Sequence, residues 1–356
     1  MEKIDILGID LAKKVYQVHG VDTRGKCVLK RKFNRNQLFT FVANLPTCTI
    51  AMEACAGAQY FSRQFQQWGH EVKLIAPQFV APYVQSNKND AADAEAICEA
   101  ASRPKMRFVS TKAVWQQDLQ SIHRIRQRLS RGRTALMNEI RGILYEFGIV
   151  IAKGHSNLVK SIEGILNEEL DEKDLSSLGK QILQELYSEL LEIDQKIEGY
   201  EQRLKQFAKQ HPDYKKLSEI RGMGLIGITA MLVALGDPSQ FKNGRQFAAW
   251  IGLVPRHQGT GGNNRILGIS KRGNPYLRSL LVHGARAQLQ SVMRKAAKGE
   301  KLDALNHWVY DLCLKKGWNK ACVALANKNA RIAWALLSKD ETFNVNKAAI
   351  PHKIAA

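Results

Sequence analysis

Two stretches of the chain carry a period that fits a long helix and little else. From Val114 to Phe147 the apolar residues Leu119, Ile122, Ile125, Leu129, Leu136, Ile140, Ile143 and Leu144 recur every three or four positions. From Leu175 to about Ala208, Leu178, Ile182, Leu186, Leu190, Ile193, Ile197 and Leu204 repeat the pattern. Each predicts a helix of roughly 50 Å at about 1.5 Å per residue. A polar break separates them, and the first is cationic where the second is acidic. The pair therefore reads as a long antiparallel coiled-coil connector spanning residues 111–212.

What precedes the connector has a different rhythm. Apolar runs at Ile4 to Asp10, Val15 to Val21 and Cys27 to Phe33, with a turn at Thr23-Arg24-Gly25-Lys26, predict three meandering strands. A helical stretch from about Gln37 to Leu45, a strand from Cys48 to Glu53, a helix from Tyr60 to Trp68 and a strand from Val72 to Ile75 follow. That is an α/β domain over residues 1–110 with parallel strands and covering helices, in the layout of a ribonuclease-H-like fold. Residues 213–342 read as an all-α domain. It has an apolar helix up to Leu235, a helix near Gly244 to Trp250, a Gly-rich stretch from Gly259 to Gly273, and helices near Pro275 to Arg294, Leu302 to Leu314 and Ala321 to Leu337. Residues 343–356 read as a frayed tail.

Charge points to the partner. The chain has 356 residues with 53 Lys and Arg against 33 Asp and Glu, a net +20. After residue 220 there are 21 basic and only 6 acidic residues. Such a balance favours a polyanion. No run approaches the ~18 apolar residues of a membrane span, and the opening Met1-Glu2-Lys3-Ile4-Asp5 does not resemble a signal peptide. The expected site of action is the cytosol, with no membrane partner. The six cysteines include no Cys-x-x-Cys pair and the nine histidines no helical i, i+4 pair, so neither predicts a metal site.

Two constellations carry chemistry. Ile4, Ile6, Gly8 and Asp10 share one face of a strand, which brings Asp10 out at the rim of the sheet. Glu53 ends another strand, and Asp90 and Asp93 lie three apart in a helix start. Each alone reads equally as a solvated cap. Together they would repel unless a cation sat among them, and Mg2+ takes such hard oxygen ligands. Asp5 and Asp22 begin a strand and enter a turn, and are set aside. In Ile269-Ser270-Lys271-Arg272-Gly273-Asn274-Pro275, Pro275 suits a first helical position and Asn274 its cap, which leaves Ser270 in a loop ahead of a helix N-terminus. Arg265, Lys271, Arg272 and Arg278 surround it, so the hydroxyl either contacts a phosphate or attacks one. Arg221-Gly222-Met223-Gly224 is similar to the hairpin of helix-hairpin-helix modules, whose backbone amides hold phosphate, or else is a tight turn.

Gly8-Ile9-Asp10-Leu11-Ala12-Lys13, Met52-Glu53-Ala54, Asn87-Lys88-Asn89-Asp90-Ala91-Ala92-Asp93-Ala94, Phe247 to Pro255 and Gly268-Ile269-Ser270-Lys271-Arg272-Gly273 together resemble the DEDD-type transposases of bacterial insertion sequences. The likeness runs from about Ile4 to Leu337 with the motifs in the family's order. It implies a recombinase that excises and inserts its own element, with Asp10, Glu53, Asp90 and Asp93 as Mg2+ ligands and Ser270 as a nucleophile joined covalently to DNA. It further implies a RuvC-like catalytic domain, action in the bacterial cytoplasm at the nucleoid, guidance by a bridge RNA pairing with donor and target DNA, and assembly as homodimers and homotetramers, with the connector as the dimerisation element. A metal-only nuclease acting on branched DNA and a non-catalytic nucleic-acid scaffold are the alternatives.

Overall fold

The computed structural model describes residues 3–84, 90–167, 175–260 and 263–349, apart from the side chains of residues 90, 91, 260, 263 and 264. It divides into two compact units, Met1–Val114 with Gly236–Gln240, and Trp115–Leu235 with Phe241–Ala356.

In the first unit β1 (Ile6–Asp10), β2 (Tyr16–Val21) and β3 (Cys27–Phe33) form the expected meander. They are followed by α1 (Arg35–Ala43), β4 (Thr49–Glu53), α2 (Ala58–Gln67), β5 (Glu71–Ile75), the short α3 (Pro77–Val80), α4 (Asp90–Ser102) and β6 (Phe108–Val109). The sheet order is β3-β2-β1-β4-β5-β6, with β1, β4 and β5 parallel and the rest antiparallel. The two-residue edge strand β6 lies beyond what the sequence pattern predicts. Alternation sorts the side chains by face. Leu7, Ile9, Ile50 and Met52 pack with Leu38, Val42, Phe61 and Phe65 of α1 and α2, while Ala51 and Ile75 pack with Ala96, Ile97 and Ala100 of α4.

The α4 face carries the tightest contact. A Cβ added at Gly8 would stand 2.4 Å from the Ala94 carbonyl oxygen and 2.8 Å from Cys98 Sγ. The Gly8 N–H donates to Cys98 Sγ at 3.0 Å, and that thiol donates to the His19 carbonyl at 2.9 Å. Burial pushes the Cys98 thiol up to about 12, so it stays protonated and keeps both roles.

The second unit opens with α5 (Val114–Glu146), α6 (His155–Leu166) and α7 (Ser177–Gln210). Where the sequence pattern predicts a two-helix hairpin with a polar break, α6 occupies part of the break. Its Leu158, Ile162 and Ile165 join Leu136, Ile140, Leu144, Leu183 and Leu190 in one core. The opposite charges do meet: Arg126 pairs with Glu201 at 2.6 Å and Arg133 with Asp194 at 2.8 Å, and His155 Nε2 shares a hydrogen bond of 2.6 Å with the other Asp194 oxygen. These partly exposed pairs fix the antiparallel register more than they add stability, at about 0 to 1 kcal/mol each.

Then come α8 (Pro212–Ser218), α9 (Leu225–Leu235), α10 (Gly244–Ile251), β7 (Pro255–Thr260), β8 (Asn263–Ile269), α11 (Pro275–Ala297), α12 (Ala304–Lys316), α13 (Trp318–Ser338) and α14 (Val345–Ala349). Leu277, Leu281, Ala285 and Leu289 of α11 pack against Leu325, Ala326, Ala330 and Ala333 of α13 at the centre of this core. The region read as all-α contains a β-hairpin, β7–β8, and within the stretch read as a frayed tail Val345–Ala349 form α14, whose Ala348 carbonyl accepts a hydrogen bond from the buried Lys328 ammonium; residues 350–356 lie outside the described residues. No helix among the described residues is long and apolar enough to cross a membrane.

The contact at Gly8 makes a paired prediction. Gly8→Ala forces the Ala94 backbone away from β1 and lowers stability in urea unfolding by about 1 to 3 kcal/mol. Gly132→Ala, mid-helix in α5 with nothing within 4 Å of the new methyl, raises it by roughly 0.5 to 1 kcal/mol.

Candidate active site

Parallel pairing sets the acid rim. Register partners in β1 and β4 run from Ile6 with Thr49 to Ile9 with Met52, so Asp10 and Glu53 occupy the next pair of positions, at the carboxyl ends of neighbouring strands. Both lie on the α4 face by alternation. The direction of α4 follows from its contacts. Cys98 lies against Ile6 and Gly8, and Ala94, one turn earlier, lies against Gly8, so the helix runs antiparallel to β1 and its first turn heads towards the Asp10 end. That turn carries Asp90 and Asp93. The Asp93 side chain is half-buried, and the Asp90 side chain lies outside the described residues.

Cys55 reports the field at this rim. Burial first, then the Glu53 carboxylate and, more weakly, that of Asp10, push its thiol above the usual range. Sequence reasoning passed over Cys55, although its place two residues after Glu53 was a usable signal. Among the described residues no three Asp, Glu, His or Cys side chains stand close enough to hold a metal ion. Of the expected ligands, Asp10 and Glu53 offer carboxylate oxygens, the donors that a hard divalent cation such as Mg2+ takes.

Ser270 belongs to the other unit, immediately after β8. Its N–H donates to the Val254 carbonyl at 2.8 Å, and that of Lys271 to Gly252 at 3.2 Å. The loop lies hard against the end of α10. A Cβ on Gly273 would come within 1.8 Å of the Trp250 carbonyl oxygen, and one on Gly252 within 2.4 Å of that of Arg272. Lys271 is left-handed at φ 55°, a conformation that costs a side-chain-bearing residue about 1 kcal/mol or more. Asn274 caps α11 by accepting from the Tyr276 and Leu277 amides, as the sequence predicts. In this tightly bonded loop the Ser270 Oγ is buried and has no hydrogen-bond partner. An orphaned buried hydroxyl forgoes roughly 1 to 3 kcal/mol.

The remaining candidates separate by what they touch. The Arg278 guanidinium donates to the carbonyls of Ile251 and Arg272, both at 2.8 Å, which ties the serine loop to α10 and α11. Arg221 pairs with Asp303. Gly222, at φ 77°, packs backbone to backbone on Gly284 of α11, and the Gly224 carbonyl accepts from Ile228 at the start of α9. Arg265, Lys271 and Arg272 are exposed.

Sequence reasoning also missed His123 of α5. Its Nδ1 shares a hydrogen bond of 3.1 Å with the Tyr276 hydroxyl and so pins the first turn of α11. Burial, aided by Arg126, holds this histidine down to about 4, so it is neutral near pH 7. A histidine among the apolar positions of an amphipathic helix was the available signal.

Comparison with known proteins gives the geometry a context. The model describing transposases of the IS116/IS110/IS902 family matches residues 214–299, and a transposase model of the DEDD, IS110 type matches residues 7–149. A probable family 20 transposase of Pseudomonas aeruginosa is 46% identical over 338 residues, which cover 95% of this chain and 98% of the relative. The transposase for insertion sequence element IS1111A of Coxiella burnetii is 46% identical over 96% of this chain and 92% of its own. The transposase for element IS1328 of Yersinia enterocolitica is 38% identical over 97% and 100%. With both models matched in chain order and the relatives aligned almost end to end, this chain belongs to the IS116/IS110/IS902 family of insertion-sequence transposases.

Proposed function

We propose that the protein is a DNA recombinase that excises and inserts its element through a covalent serine–DNA intermediate, assisted by a divalent cation at the acid rim. The observation that carries this reading is the Ser270 hydroxyl, buried and without a hydrogen-bond partner although the backbone on either side of it is bonded at Ser270, Lys271 and Arg272. A serine that served only the fold would be expected to spend its hydroxyl on a neighbour.

In the proposed reaction the Ser270 oxygen bonds to the scissile phosphorus as the bond from phosphorus to one bridging oxygen of the DNA breaks. The hydroxyl proton leaves to a base, and the departing DNA oxygen acquires one. Rejoining reverses these exchanges on a new strand, so no phosphodiester energy is lost to water. The N-terminus of α11 and the cations at 265, 271 and 272 favour a phosphate at the loop. Arg278 acts through the loop it ties together, and Arg221, Gly222 and Gly224 act through the packing of α8 and α9 on α11. Asp10, Glu53, Asp90 and Asp93 would hold Mg2+, which when bound supplies positive charge to the phosphate oxygens.

The same reading includes guidance by a non-coding bridge RNA, donor and target DNA as substrates, and homodimers or homotetramers assembled through α5 and α7. A net charge of +20 supports polyanionic partners of this kind.

Two experiments test the proposal. Ser270→Ala should abolish strand exchange and any protein–DNA adduct, a loss of at least about 1,000-fold, while DNA and RNA binding stay within about twofold. Asp10→Asn should abolish exchange equally. A Ser270→Ala protein that still cleaves would favour a metal-only nuclease, and an Asp10→Asn protein of full activity would favour a scaffold. Separately, Lys271→Ala with Arg272→Ala should lower the slope of log affinity against log salt by about 1.8 units, at ~0.9 per phosphate contact. An unchanged slope would remove both side chains from the interface.

A further inference from the structure

Between Pro238 and Gly299 the chain carries eleven Lys and Arg and no Asp or Glu. At ordinary composition a stretch of that length would hold roughly seven acids. In the middle stands the β7–β8 ribbon, with His257 opposite Ile266 and Gln258 opposite Arg265. Its described side chains from Pro255 to Gly259 and from Arg265 to Gly268 are all exposed. Ile266 is 71% accessible and Leu267 37%. Neighbouring residues alternate faces, so both faces are wet and each carries one of these apolar side chains. An isolated two-stranded hairpin is marginal in water, and one that displays isoleucine and leucine calls for a partner that covers them.

We propose that this ribbon lies in the major groove of duplex DNA. Arg256 and Arg265 reach phosphates or guanine edges, and Ile266 and Leu267 meet thymine methyl groups. The inference rests on the recombinase reading above and specifies how that site grips its substrate. Charge complementarity selects a polyanion, since the segment itself offers a protein partner's Lys and Arg no acid to pair with. Groove shape selects DNA. A B-form major groove, about 12 Å wide, admits a two-stranded ribbon, whereas the A-form groove of duplex RNA is too narrow and deep for side chains to read. Continuity of the chain supplies the purpose. β8 ends at Ile269, so docking the ribbon fixes which phosphate meets the Ser270 hydroxyl, and the base pairs it touches flank the cut.

Fluorescence anisotropy of the full-length protein, with a mixed-sequence DNA duplex and an RNA duplex of the same sequence, across a salt series, tests this. Ile266→Ser with Leu267→Ser should weaken binding to the DNA duplex roughly tenfold and leave the salt slope unchanged. Arg256→Ala with Arg265→Ala should lower that slope by about 1.8 units. Binding to the RNA duplex should change less than twofold in either. All four positions are exposed, and melting curves matching wild type confirm that the fold is retained. Unchanged DNA binding in both variants overturns the proposal, as does an equal loss on RNA, which would make the ribbon an RNA surface. Loss of self-association with DNA binding intact would make it an interface between copies. If wild type forms a Ser270–DNA adduct yet is indifferent to the ribbon variants, the ribbon alone fails. If wild type, with its guide RNA present, binds no DNA duplex at all, the recombinase reading fails with it.

Discussion

The approach of α4 to β1 across Gly8 is the constraint on which the first unit depends. A helix can lie that close to a strand only where the strand has no side chain, and Gly8 provides the gap into which the Ala94 carbonyl and the Cys98 thiol settle. Because α4 is held antiparallel to β1 there, its first turn is directed to the strand ends where parallel pairing has already set Asp10 beside the position of Glu53. The acid rim is thus a product of three ordinary features: strand alternation, parallel register and one glycine. None of them requires the carboxylates to attract one another. In the proposed chemistry a divalent cation would offset the repulsion between such acids at this rim.

The second unit applies the same logic to a hydroxyl. Gly252 and Gly273 let the serine loop press against the end of α10, Arg278 bonds it from beneath, and Lys271 takes a left-handed conformation to complete the turn. The loop is therefore rigid before any substrate arrives. Rigidity of this kind favours a reacting group, because a nucleophile already in position loses little entropy at the transition state. The β7–β8 ribbon and the cations around it extend the arrangement outward, so that in the proposed reading recognition and reaction would occupy consecutive residues of one chain segment.

How much of this the sequence disclosed depends on whether a residue's role is local. The meander, both long helices and the cap at Asn274 were legible because alternation, 3.6-residue periodicity and Asn-Pro capping are properties of short windows. The helix α6 was not, since its Leu158, Ile162 and Ile165 form too short a stripe to stand out from a polar break. The ribbon was hidden for a different reason. Glycines and exposed polar residues on both faces leave no alternation to read. Arg221 and Arg278 are the instructive pair: their type suggests phosphate, but their partners are Asp303 and two backbone carbonyls that only the fold brings near. The loop position of Ser270 was readable from its setting, whereas the lack of a hydrogen-bond partner at its buried oxygen was not. The family resemblance supplied roles for the acids that their positions alone left open.

Mass spectrometry of a stalled strand-exchange reaction tests the central claim most directly. The protein would be incubated with its guide RNA and element-end DNA nicked close to the cut, so that a joined strand cannot be released. It would then be digested with nuclease and protease. The account predicts a nucleotide attached to the peptide that contains Ser270, formed only with divalent cation present and absent when Asp10 is replaced by Asn. A nucleotide on any other residue, or completed exchange with no protein-bound nucleotide at all, would contradict it.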